Sequence, residues 1–132
     1  MAVPRLTMFA IVAEDMSKSL AFYRRLGLKI PADADSAPHV EVVLPGGVKL
    51  AWDSVETVRS YDPDWKAPTG SHRAAVAFEY PDSAAVDAAY AELVDAGHVG
   101  HLDPWDAVWG QRYAIVLDPD GTAVDLFAAL PA

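Results

Sequence analysis

Arg112-Tyr113-Ala114-Ile115-Val116-Leu117-Asp118-Pro119-Asp120-Gly121-Thr122-Ala123-Val124-Asp125-Leu126-Phe127 is the stretch on which the fold turns. It reads as two strands joined by a tight turn: Pro119 presets φ, Asp120 tolerates the bend and Gly121 supplies a left-handed position. Ala114, Val116, Val124 and Leu126 give the flanking strands an apolar face. Upstream, Glu41-Val42-Val43-Leu44-Pro45-Gly46-Gly47-Val48-Lys49-Leu50-Ala51-Trp52 repeats the order of strand, Pro-Gly turn and strand, with Gly47 in the place of Gly121. One unit is used twice.

Working outward, residues 6–13 are apolar and nearly uncharged, as a buried strand is. Asp15 precedes Met16, Leu20, Tyr23 and Leu26, spaced along one helix face, and Gly27 is placed to stop that helix. Residues 28–30 begin a further strand, residues 31–38 form a loop, and the first hairpin spans 39–44 and 48–52. The polar segment 53–70 connects the halves and holds a short helical turn near 55–60. The second half repeats the pattern: a strand over 74–80, a helix opened by Pro81-Asp82 with Val86, Ala89, Tyr90, Leu93 and Val94 on one face, and Gly97 at its end. A strand over 98–102 and a loop over 103–109 lead into the quoted hairpin. The expected class is α+β, a single domain over 1–132 made of two βαβββ modules (about 5–53 and 72–130) with a linker at about 54–71. Neither module could bury its sheet alone, so pairing within one chain, or exchange in a homodimer, is expected.

Composition narrows the partners. The chain has 132 residues, 52% hydrophobic and 22% charged, with no cysteine and a net charge of −9. No apolar run approaches the roughly 18 residues of a membrane span, and the start carries no apolar signal core, so a cytoplasmic protein away from membranes is expected. Without cysteine there is no disulfide framework, thiolate zinc site or thiol nucleophile. Residues 1–66 hold eight Lys/Arg and nine Asp/Glu, whereas residues 67–132 hold two and ten. That acidic second half makes nucleic acid, which needs clustered basic side chains, a poor partner; a cationic small molecule fits better, although solvated helix and loop surfaces carry such acidic residues more often.

Asp15-Met16 before Ser19-Leu20-Ala21-Phe22-Tyr23 and Leu26-Gly27, together with Trp109-Gly110-Gln111-Arg112-Tyr113 and Asp118-Pro119-Asp120-Gly121, resembles the glyoxalase, bleomycin-resistance and dihydroxybiphenyl-dioxygenase (vicinal oxygen chelate) superfamily. The resemblance covers nearly the whole chain and implies a curved mixed sheet around a cleft. It does not imply one activity, since the scaffold serves lyases, isomerases, dioxygenases, thiol transferases and non-catalytic drug binders. In metal-dependent members, the resemblance implies, each half supplies one ligand from its first strand and one from its last. Seven residues before Asp15 is Met8 and seven before Asp82 is Ala75; four after Gly47 is Ala51 and four after Gly121 is Asp125. Of this quartet only Asp125 suits a hard or borderline ion, so the expected metal set is none and no cofactor is expected. A one-residue slip would bring His72 or Glu79 into consideration. Asp125 is either held by donors such as Arg112 or Tyr113 or free to meet a ligand.

His39 with Glu41, and His98 with His101, have spacings that can hold a metal, but solvated strand edges have them more often, and neither pair falls at a family ligand position. No Gly-x-Ser-x-Gly elbow, phosphate loop or complete calcium loop is present. The aromatic residues make the positive case. Trp52 ends the first hairpin, Trp65 lies in the linker, Trp105 and Trp109 bracket the loop before the last hairpin, and Phe9, Tyr61, Tyr113 and Phe127 add flat surface. The ligand-binding set expected is Met8, Phe9, Trp52, Trp105, Trp109, Tyr113 and Asp125, with no catalytic residue. In drug-sequestering relatives, the resemblance implies, a metal-free groove clamps planar or cationic compounds between aromatic faces. A non-catalytic binding protein of that type is the leading expectation. A metal-dependent lyase or dioxygenase with an altered ligand set including Asp125, and a metal-free enzyme using Asp125 as general base, are the alternatives.

Overall fold

The computed structural model describes residues 1–132. Strands β1 (Met8–Ala13), β2 (His39–Val43), β3 (Lys49–Ser54), β4 (Ala75–Glu79), β5 (Val99–Ala107), β6 (Gln111–Leu117) and β7 (Ala123–Ala129) alternate with helices α1 (Met16–Arg25), α2 (Val55–Tyr61) and α3 (Ser83–Asp95). They form two sheets, ordered β1-β3-β2 and β4-β7-β6-β5. Two compact units result, one of Met1–Leu20 with Lys29–Pro68, the other of Ala21–Leu28 with Thr69–Ala132. The division falls inside α1. No helix is long and apolar enough to cross a membrane.

The same local chemistry closes the helices of both halves. Asp15 accepts from the Lys18 backbone N–H at 3.1 Å, and Asp82 caps α3 by accepting from that of Ala85 at 2.8 Å. At the other ends Leu28 N–H reaches back to the Tyr23 carbonyl at 3.3 Å and His98 N–H to that of Leu93 at 3.0 Å, across Gly27 and Gly97. The residue-55 helical turn is α2, capped by the Ser54 hydroxyl, which accepts from Thr57 N–H at 3.1 Å.

In the first unit, β1 runs parallel to β3 and β2 antiparallel to it. Leu50, Trp52, Ile11, Ala13 and Val40 share the covered face, α2 packs against β3 and β1, and Val58 is its buried anchor. The other face carries Met8, Ala10, Glu41, Lys49 and His39, all exposed.

In the second unit, α3 lies on the sheet against β5, β6 and β7 through Val86 and Leu93, and Ala114, Val116, Val124, Leu126 and Ala128 are fully buried. Arg112 points to the same side, where its guanidinium grips Asp87 of α3 with Nε and Nη2 (2.9 and 3.2 Å) and Asp106 with Nη1 at 3.1 Å. Both carboxylates, Asp87 first, hold the guanidinium charged more firmly than usual. The last turn is built around Asp118. Its Oδ1 accepts from the backbone N–H of Asp120 and Thr122 (2.9 and 2.8 Å) and its Oδ2 from the buried Tyr23 hydroxyl at 2.7 Å. Gly121, at φ +84°, takes the left-handed position that the turn requires.

Three expectations are corrected. Residues 28–30 form no strand, so the first sheet has three strands. Residues 31–38 are not all loop, since Ala32–Ser36 is a 3₁₀ turn. Residues 103–107 continue β5 instead of forming a loop. The register shifts between Gly100 and Leu102 and between Leu102 and Trp105, and an irregular ladder of this kind tolerates Pro104, which has no N–H to donate.

Candidate functional site

The β6–β7 hairpin has the register Tyr113 opposite Phe127 and Ile115 opposite Asp125, with Trp105 of β5 beyond Tyr113 and Ala77 of β4 beyond Asp125. Side chains alternate along a strand, so Trp105, Tyr113, Ile115, Asp125, Phe127, Ala77 and Glu79 share the face away from α3. Ala75, Ala77 and Glu79 are exposed there, and Trp105 keeps 37% of its surface in solvent.

An aromatic row crosses this face. Trp105 meets Trp109 edge-on at 5.6 Å, Trp109 meets Tyr113 edge-on at 5.4 Å, and Tyr113 stacks near-parallel on Phe127 at 6.4 Å. Such pairs are each worth about 0.5–1.5 kcal/mol beyond their burial, so the row stiffens itself. Trp109, in the turn between β5 and β6, is 57% exposed, and its indole N–H donates to Gln111 Oε1 at 2.9 Å, which fixes its tilt.

Asp125 lies beside the row and is only 9% exposed. The Tyr113 hydroxyl donates to Asp125 Oδ2 in a short hydrogen bond. Burial, then that bond and the carboxylate's charge, push the Tyr113 phenol up to about 12, so it remains a donor at neutral pH. Asp125 Oδ1 is buried and has no hydrogen-bond partner. A buried acceptor left unpaired costs about 1–3 kcal/mol, and more if charged, so this oxygen marks where a donor would be gained.

The structure therefore brings together Trp105, Trp109, Tyr113 and Asp125, and adds Phe127 and Gln111. Arg112 is not a holder of Asp125, because it occupies the opposite face. Trp52 is corrected from ligand wall to core: it has no exposed surface and lies with Leu50 on the covered side of the first sheet. Phe9, next to Met8 on β1, is turned to that covered side by strand alternation, while Met8 is 43% exposed on the other. Trp65 belongs to the first unit, with the Arg59 guanidinium over its ring at 5.9 Å.

The metal positions that the resemblance implies hold few donors. Met8 and Ala51 share one face of the first sheet, Ala75 and Asp125 one face of the second, and three of the four offer no hard donor. No group of three His, Asp or Glu side chains is placed to hold an ion. These residues do not fit the metal centre of the metal-dependent members.

The histidines separate. His39 on the first sheet places Nδ1 at 2.5 Å from Asp53 and Nε2 at 2.7 Å from Glu41, whose other oxygen meets Lys49 Nζ at 3.2 Å. Glu41, then Asp53, raise the His39 pKa, and the cluster is an ion-pair chain on a strand surface. His98 packs edge-on against Phe22 at 4.8 Å, and His101 against His72 at 5.6 Å, so they form no joint site.

A family model described as Glyoxalase/Bleomycin resistance protein/Dioxygenase superfamily matches residues 5–126. Among solved structures, a glyoxalase/bleomycin resistance protein/dioxygenase family enzyme from Burkholderia phytofirmans PsJN is similar with a TM-score of 0.81 at 18% identity, covering 96% of this chain and 100% of that one. A glyoxalase/bleomycin resistance protein/dioxygenase from Nocardioides gives 0.75 at 25% identity, over 100% of this chain and 87% of that one. A glyoxalase-related enzyme from Fulvimarina pelagi gives 0.79 at 18% identity, over 96% and 88%. No curated protein matches.

Proposed function

The chain belongs to the glyoxalase/bleomycin resistance protein/dioxygenase superfamily, and within it we propose a protein that binds and sequesters a small planar cation without transforming it. The observation that carries this reading is the aromatic row of Trp105, Trp109, Tyr113 and Phe127 set beside a buried carboxylate with an unpaired oxygen. Flat aromatic faces hold a planar guest by stacking, a cation on a Trp or Tyr face gains about 0.5–2 kcal/mol, and Asp125 supplies the charge that selects a positive guest. The acidic second half of the chain favours the approach of such a guest.

Sequestration needs affinity and slow release only, so no cofactor is invoked. The protein works as a cytoplasmic homodimer in this reading. The second reading, a metal-free enzyme with Asp125 Oδ1 as general base, rests on the same unpaired oxygen.

The test is a tryptophan-fluorescence titration with bleomycin and with the planar cation acridine orange, followed by mass spectrometry of the recovered compound. Saturable quenching with an unchanged mass supports sequestration. A product of altered mass, lost in Asp125→Asn, supports the enzyme instead.

A further inference from the structure

Resting on that reading of the same site, we infer that its ligand is a cation bearing an N–H donor, and that Asp125 Oδ1 is the atom that selects it over a quaternary cation of equal shape and charge. The two carboxylate oxygens are not equivalent. Oδ2 is committed to the Tyr113 hydroxyl, whereas Oδ1 is sealed from solvent without a partner. Tyr113 cannot serve both, since its single proton points to Oδ2, and its ring is fixed between Trp109 and Phe127. Arg112, the nearest cation in sequence, is held on the other face by Asp87 and Asp106.

A guest that displaces the side chains now covering Oδ1 therefore meets a fixed acceptor whose hydrogen-bonding capacity is unused. A protonated ring nitrogen, an amidine or an ammonium N–H satisfies it. A quaternary nitrogen gains the Coulomb and cation–π attraction but leaves Oδ1 unpaired and puts a methyl group where the hydrogen bond should form. Specificity of this kind comes from the buried polar atom that the wrong ligand strands. Tyr113 is the positioning residue: by occupying Oδ2 it aims Oδ1.

Acridine orange and its 10-methyl derivative separate the alternatives. Both are planar monocations, and the exocyclic nitrogens of both are fully methylated, so the protonated ring nitrogen of acridine orange is the single N–H between them. Calorimetric titration of the full chain should show acridine orange binding at least about tenfold more tightly, the usual worth of a hydrogen bond to a charged group. In Asp125→Ala, or Asp125→Leu if the smaller side chain impairs folding, the two dyes should bind alike. Equal affinities for the wild type overturn this inference and leave sequestration standing. A preference that persists without Asp125 also overturns it, because sterics elsewhere would be the cause. Failure of both dyes to bind overturns the sequestration reading and this inference with it.

Discussion

Tyr113→Phe removes one oxygen and tests the site's electrostatics directly. The phenyl ring keeps its contacts with Trp109 at 5.4 Å and Phe127 at 6.4 Å, so packing is nearly unchanged. What disappears is the bond to Asp125 Oδ2, which leaves a carboxylate 9% exposed with neither oxygen paired. A hydrogen bond to a charged group contributes about 1.5–3 kcal/mol net, and little water can replace it at that burial. With a urea m-value of about 1–3 kcal/mol/M, the midpoint should fall by roughly 1 M. Tyr113→Leu should lose about 1–3 kcal/mol more by forfeiting two aromatic pairs. The phenol also carries a pH signature. Its pKa is raised from 10.0 to about 12, so its contribution is whole below pH 10 and is lost as pH rises through about 12. The wild type should therefore converge on Tyr113→Phe over that window. Urea unfolding followed by circular dichroism at neutral and alkaline pH measures both effects. A neutral-pH difference under about 0.5 kcal/mol would refute the reasoning, because it would mean that water already serves Asp125.

Three further outcomes follow from other contacts. Asp118→Ala should destabilise by roughly 3 kcal/mol and exceed Tyr23→Phe in urea unfolding, since Asp118 serves two backbone N–H groups as well as the buried hydroxyl. His39, its pKa raised above 6.5 by Glu41 and Asp53, contributes stability that is full below pH 6.5 and fades as pH climbs through the raised value; thermal melts of His39→Gln should approach wild type over that climb. Trp109→Phe should remove part of the ligand-dependent quenching, whereas Trp52→Phe, altering a side chain with no exposed surface, should leave it intact.

Much of this fold is legible in the sequence, for local reasons. Caps and stops at Asp15 and Gly27, and at Asp82 and Gly97, are chemistry of adjacent residues, and they name the helices. The Asp118–Gly121 turn does more than mark a hairpin. It sets the register that puts Tyr113 opposite Phe127 and Asp125 diagonal to Tyr113. Residue type alone does not separate Trp52 and Phe9 from the exposed rings; their place in the alternation of the first sheet does. Met8 and Ala51 share one face of the first sheet, and the two-residue period of a strand sends their neighbours Phe9 and Trp52 to the other. The same period would have added Phe127 and Gln111. Residues 28–30, Leu28-Lys29-Ile30, alternate as a strand does, but a strand exists only with a partner, and none pairs there. The continuation of β5 through residues 103–107 has no local signal, because a shifted register is a property of two strands together. The unpaired oxygen of Asp125 has no sequence signature, since it depends on which of its neighbours is a donor and where that donor points.

The most direct test of the central claim is an NMR map of bound acridine orange on isotopically labelled protein. Intermolecular contacts should run from the dye to the Trp105, Trp109 and Tyr113 rings, with the largest backbone shift changes around Asp125. A saturably bound dye whose contacts fall on the His39, Glu41 and Lys49 face, with the aromatic row unperturbed, would contradict that claim.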